Sequence, residues 1–427
     1  MTTAPVAQVR TPQKHSVLIL MLTLSMIICY VDRGNLSIAA PIIKDELRLS
    51  ASQLGILLSA FFWSYTPFQI VSGWLSDRFH PGWILAGGFA LWSLATSLTG
   101  LVHGFTMLLL MRVLLGIGES TPWPCFGTIL ARDLPNDRRG LANAATMTGT
   151  ALGPAIGVLL GGTLIARFGW RPFFIVLGVV TLAWLIPWMI SMPCSAPPKT
   201  VRGSSGPPIW EILRLRSFWG GAIGHFCINY LAYFVLTWMP FYLVREKQFS
   251  LPTMGKLAAL FYCVESTFTV ITGALTDRAV RRGQTITRAR KTAMIVGHTL
   301  AAIGLLCWML AGSNWFMVCI VFTFAAWGIA ATGIFAFPQD LGGHEASGKW
   351  SGLQNCVANF AGILAPAITG FLLDRTGNFA VTLATTAAVM LVGGFAWVFL
   401  VGELKPVSFA DSYSGGNNTR HLGAAKR

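Results

Sequence analysis

Of the 427 residues in this chain, 54% are hydrophobic and only 11% are Asp, Glu, Lys or Arg, against about 25% charged in an ordinary soluble domain. A soluble fold of this size could not bury that much apolar surface, which excludes a soluble enzyme or binding module. The net charge of +15 does not indicate a nucleic-acid partner, because the basic residues gather between apolar runs rather than on one polar face.

Windows of about 20 apolar residues mark twelve spans, near 15–35, 52–76, 83–102, 104–128, 140–166, 171–192, 218–244, 254–275, 290–312, 314–336, 350–373 and 379–402. The runs are continuous rather than alternating, and a bilayer demands internally paired backbones, so helices are expected instead of strands. Residues 1–14 are polar without a cleavage pattern, and the first span carries Asp32 and Arg33, so it reads as a retained helix. The longest polar gap holds Pro-Pro-Lys and Gly-Ser-Ser-Gly-Pro-Pro and divides six spans from six. Its end, Ile209 to Arg216, is amphipathic: either an interfacial helix or the frayed start of the seventh span. The chain thus divides into a tail 1–14, a six-helix bundle 15–192, a linker 193–217, a second bundle 218–402 and a polar tail 403–427. With an even number of spans, most Lys and Arg fall in the tails and the loops on the tails' side, with clusters at Arg138-Arg139 and from Arg278 to Lys291. That bias places both termini in the cytoplasm.

Internal repeats support two like halves. Gly73-Trp-Leu-Ser-Asp77-Arg78 returns as Gly273-Ala-Leu-Thr-Asp277-Arg278, and Gly162-Thr-Leu-Ile-Ala-Arg167-Phe-Gly169 as Gly370-Phe-Leu-Leu-Asp-Arg375-Thr-Gly377. Two like apolar halves are the signature of a carrier working by alternating access. The first motif resembles the loop after the second helix of the major facilitator superfamily, and its counterpart after the eighth. The resemblance implies an all-α membrane protein of twelve helices in two pseudo-symmetric six-helix bundles. Gly73, Asp77, Arg78, Gly273, Asp277 and Arg278 would then be conformational rather than ligand-binding, with His80-Pro81-Gly82 replacing the more basic end of the usual motif.

A charge buried in a span costs about 2.5 kcal/mol or more at the helix centre, so each needs a reason. Tyr30-Val-Asp32-Arg33-Gly-Asn35-Leu-Ser37 falls in the outer half of the first span. Tyr30 and Arg33 share a face; Asp32 can neutralise Arg33 or pair across to another helix. Arg33 either grips an anionic ligand through two parallel hydrogen bonds or belongs to a structural ion pair. In the fourth span, Arg112 and Glu119 are two turns apart and project from one side, and Gly116 and Gly118 leave room for a ligand or a neighbouring helix. Glu119 is the first choice for a coupling proton site, modulated by Arg112; a salt bridge that ties helices together is the alternative. Glu265 sits mid-span, either as a functional carboxyl or in a structural hydrogen bond. The eight Cys show no CxxC or Cys/His spacing, so neither a metal, a cofactor nor a disulfide framework is indicated. The scattered His provide no nucleophile–base pair, so the chain does not read as an enzyme.

Tyr-x-Asp-Arg-x-Asn-Leu-Ser in helix one, Tyr65-x-x-x-Gln69-Ile-x-x-Gly73 in helix two, Arg-x-x-x-Gly-x-Gly-Glu in helix four and Trp238-Met-Pro240-Phe-Tyr242 in helix seven resemble the anion:cation symporter family. That family includes bacterial hexonate, hexuronate and glucarate carriers, sialin and vesicular glutamate carriers. The resemblance implies proton-driven import of an organic anion, first of all a sugar acid, across a bacterial inner membrane by a monomer. By motif it gives proton roles to Asp32 and Glu119 and the substrate carboxylate to Arg33. Tyr30 and Tyr65 would line the cavity, and Asn355 and Asn359 would meet substrate hydroxyls. Thr150 stands where hexonate carriers have Gln, which puts hexonate itself in doubt, and Glu265 stands where relatives have small or apolar residues. The alternatives are an uncoupled carrier, or one coupled differently, for aromatic or short dicarboxylates, and a non-transporting sensor on a carrier fold.

Overall fold

The computed structural model describes residues 12–134, 136–192, 207–312, 315–334, 336–405 and 407. Twelve helical stretches are long and apolar enough to cross a membrane. In the first half, α1 (Pro12–Arg33) and α2 (Asn35–Glu46) make the first crossing and α3 (Ala51–Arg78) the second. Then come α4 (Pro81–Thr99), the pair α5 (Phe105–Glu119) and α6 (Pro122–Asp133), α7 (Asn136–Phe168), and the pair α8 (Trp170–Ala183) and α9 (Leu185–Ser191). The second half starts with α10 (Ile209–Leu213), followed by α11 (Arg216–Arg245), α12 (Leu251–Arg281) and α13 (Ile286–Leu310). α14 (Phe316–Ala331) and the start of α15 (Ala336–Thr376) form the tenth crossing. The rest of α15 is the eleventh, and α16 (Phe379–Phe399) the twelfth. The short α10 keeps Ile209 and Trp210 exposed and Ile212 buried, as an interfacial helix would.

The first crossing differs from expectation. It runs on to Glu46 instead of ending near 35, so Asp32 and Arg33 lie at its middle rather than in its outer half. The reason is Gly34, where the helix breaks and restarts: the Ser37 hydroxyl and backbone both bond the Gly34 carbonyl. A glycine–serine pair is a common cause of such a kink, and apolar Ile38 and Ile43 beyond it are fully buried.

The internal repeat governs how the halves meet. An added Cβ at Gly55 would lie 2.5 Å from the Pro366 carbonyl oxygen, and one at Gly370 2.3 Å from that of Ala51. The same crossing recurs between α7 and α12: Gly255 would meet the Val158 carbonyl at 2.5 Å, and Gly162 that of Leu251 at 2.6 Å. Only glycine admits backbones this close. Both crossings lie at the end of the bundle opposite residues 12 and 405. There Arg245 pairs with Asp45, 200 positions away, and donates to the Pro41 carbonyl at 2.9 Å. Asp374 accepts from the backbone nitrogens of Ala51 (2.7 Å) and Ser52 (2.6 Å), capping the start of α3 from the other half. The outer faces carry large apolar side chains such as Ile190, Val270 and Leu310, all more than 70% exposed, an area only lipid could cover.

Candidate functional site

Two interrupted helices bring the site together. α1 ends at Arg33 because of Gly34, and α5 ends at Glu119 because Pro122 and Pro124 cannot continue its hydrogen bonding. Discontinuous helices at mid-membrane are where carriers place polar sites. α5 is held tightly on both sides. A Cβ at Gly116 would lie 2.2 Å from the Phe61 carbonyl oxygen, and one at Gly118 2.7 Å from that of Gly88. The glycine pair therefore admits neighbouring helices, α3 and α4, rather than a ligand. On the opposite side, Gly153 of α7 lets α1 approach at Tyr30.

The ends so placed form one buried ion pair. Arg33 Nε donates to Glu119 Oε2 at 3.1 Å, with both side chains under 10% exposed. The guanidinium lies 4.5 Å from the Tyr30 ring centre and 4.7 Å from that of Tyr65, an aromatic clamp that stabilises a desolvated cation. The Cys29 thiol donates to the same Oε2 at 3.4 Å. Glu119 Oε1 is buried and has no hydrogen-bond partner among the described residues. Asp32 is bonded not to Arg33 but to the Thr96 hydroxyl (2.6 Å) and the Asn35 amide (3.4 Å). Arg112 is buried with its guanidinium over Phe61, 5.3 Å from the ring centre, and its Nε has no hydrogen-bond partner among the described residues. Sequence spacing placed Arg112 and Glu119 on one side; the structure gives Glu119 to Arg33 instead, since the two helix breaks turn those residues toward each other.

From the second half, the Tyr233 hydroxyl donates to Asn359 Oδ1 at 2.6 Å, and the Tyr233 ring packs on Phe62, 4.3 Å between centres. Asn359 Nδ2 returns to the Asn355 carbonyl at 2.9 Å. Tyr233 was not singled out from sequence, because α11 also carries His225, Asn229, Tyr230, Thr237 and Tyr242 and its pattern does not single out one of them. The Thr150 hydroxyl bonds its own helix at the Met147 carbonyl, 2.7 Å. Glu265 is half-buried and accepts from Ser266 (3.2 Å) and Thr269 (3.1 Å), on a face of α12 packed against Gly328 of α14. Among the described residues no Lys or Arg pairs with it.

Gly73 faces Pro124 and Gly273 faces Thr332, at matching places in the two halves. Arg78 stacks on Trp74, and Asp277 and Arg278 are exposed. The side chains of Asp77, Arg138 and Arg139 lie outside the described residues, as do Cys194 and most of the linker. No group of three or more His, Cys, Asp or Glu suited to a metal occurs among the described residues.

Residues 22–366 match the family model of the Major Facilitator Superfamily. The chain belongs to that superfamily. It is 30% identical to the probable sulfoacetate transporter of Cupriavidus necator, over 95% of this chain and 98% of that one. It is also 30% identical to the probable galactarate/D-glucarate transporter of Bacillus subtilis, over 91% and 92%. A bacterial homologue of the human lysosomal transporter Spinster superimposes with a TM-score of 0.74 at 19% identity, covering 92% of this chain and 95% of that one. This superfamily member is thus a transporter, not an enzyme, and its relatives are consistent with the anion:cation symporters that its motifs resemble.

Proposed function

We propose that this transporter is a proton-coupled symporter that imports an organic anion, first of all a sugar acid, by alternating access of its two halves. The observation that carries the proposal is the buried Arg33–Glu119 pair. While Glu119 is charged, it occupies a donor of Arg33. A proton on Glu119 weakens that bond and frees the guanidinium, held between Tyr30 and Tyr65, for a substrate carboxylate. Arg33 and Arg112 against Asp32 and Glu119 give two charges of each sign. A proton on either carboxyl leaves one positive charge to draw in an anion. Asp32 is the second proton carrier, and Arg112 modulates Glu119. Asn355, Asn359, Thr150 and Glu265 face the rest of the substrate. Gly73, Asp77, Arg78, Gly273, Asp277 and Arg278 guide the rocking of the halves.

The protein works as a monomer in a bacterial inner membrane with both termini in the cytoplasm. The end joined by Asp374 and Arg245 then faces outward, and the conformation described is closed on that side. A second substrate class, short dianions, draws support from the sulfoacetate relative. It is also favoured by the bonds that already engage Asn359 and Thr150, which leave few free groups for a polyol.

The test is a thermal-shift comparison of purified wild type and Arg33→Lys against glucarate, galacturonate and sulfoacetate. At least one anion raises the wild-type midpoint and leaves the variant unmoved. Equal shifts in both proteins would place the carboxylate elsewhere.

A further inference from the structure

We propose that Cys29 is a positioning residue of the proton step: its thiol holds Glu119 against Arg33 and sets the pH at which that pair opens. The inference rests on the symport proposed above. Cys29 lies one turn before Arg33 on α1, so both side chains project to the same side. The thiol is 1% exposed. It donates to Glu119 Oε2 at 3.4 Å and accepts from Arg33 Nη2 at 3.8 Å, while Arg33 Nε donates to the same oxygen at 3.1 Å. The three groups close a triangle. Among the described residues, one carboxylate oxygen takes two donors and the other, Oε1, takes none.

That asymmetry has a chemical consequence. A thiol is a weak donor, and its bond to a charged carboxylate is stronger than its bond to a neutral carboxyl. Cys29 therefore favours the charged, Arg33-bound state of Glu119 and leaves Oε1 as the oxygen that accepts the proton. The other ionisable groups around the triangle are Tyr30 and Asp32 on α1, Arg112 on α5, Tyr65 on α3 and Tyr233 on α11. α4 brings the Thr96 hydroxyl, which is bonded to Asp32, and α7 meets α1 there through Gly149 and Gly153.

The test compares purified Cys29→Ala and Cys29→Ser with wild type by two readouts. One is an infrared pH titration of the Glu119 carboxyl band, assigned by its absence in Glu119→Gln. The other is the pH profile of substrate counterflow in liposomes. Cys29→Ala moves both midpoints upward by about 0.5–1 pH unit, the size of one weak hydrogen bond to a charge. Cys29→Ser, which keeps a donor, stays at the wild-type midpoint or below it. An unmoved titration in Cys29→Ala, or an equal upward shift in both variants, overturns the assignment and leaves Cys29 as packing. Should the alanine variant not fold, the serine variant decides by the direction of its midpoint. A titration that moves as stated in a protein that carries no proton with substrate contradicts symport and not the role of Cys29.

Discussion

Arg33 and Glu119 stand 86 positions apart, and each is the last residue of its helix. Arg33→Lys keeps the charge but loses the planar fork. Its substrate affinity falls by about 10- to 100-fold, the worth of one or two charge-assisted hydrogen bonds, while circular dichroism and expression stay as in wild type. Glu119→Gln mimics the protonated carboxyl, so counterflow continues while accumulation against a gradient stops. Persistent accumulation in that variant would make Glu119 structural and leave coupling to Asp32. Glu265 has hydroxyls but, among the described residues, no paired cation, and such a carboxyl near mid-membrane cannot stay both charged and shielded from water. Glu265→Gln shifts substrate affinity or its pH dependence at normal expression, and Glu265→Leu does more damage; unchanged uptake across pH in both would leave it a packing residue. Much of this site was legible at residue scale: charges inside apolar runs announce themselves, and Tyr30 three before Arg33 shares its face. The pairing was not legible. Spacing within one helix says which side a residue faces, but the partner of Glu119 depends on kinks at Gly34 and Pro122 that join different helices.

At the scale of elements, the twelve crossings follow from apolar length, and their ends from punctuation. Ser50 caps α3 and Ser250 caps α12, each accepting from the nitrogen three residues on. Their pseudo-equivalence was readable from the 200-residue repeat. The asymmetry of the two crossings was not. In the second repeat Asp374 occupies the position that Ala166 holds in the first, so of these two crossings it is the one at α3 that receives this carboxylate cap from the opposite half. The cap is worth about 1 kcal/mol, or roughly fivefold in an opening equilibrium. Asp374→Asn accordingly speeds amide hydrogen exchange at Ala51 and Ser52 by about that factor and leaves Leu251 and Thr253 at the other crossing unchanged. Exchange that is unchanged at both would mean the cap does not secure that end.

For the whole molecule, composition alone decided membrane against soluble, and the repeats decided two halves. Which end is sealed came only from the structure, because it depends on glycine-to-carbonyl approaches between helices of opposite halves of the chain. Under the proposed symport, an anion bound between halves that seal one end at a time, beside a buried carboxyl that must be neutral to release Arg33, moves together with a proton. The direct measurement is pH recording in lightly buffered proteoliposome suspensions, with glucarate or sulfoacetate added outside to wild-type and Glu119→Gln protein. Substrate makes the outside alkaline as protons enter with the anion in wild type and leaves the pH unmoved in the variant, although both exchange labelled substrate. Exchange by the wild-type protein with no proton movement at all would contradict coupled symport and leave an uncoupled anion carrier.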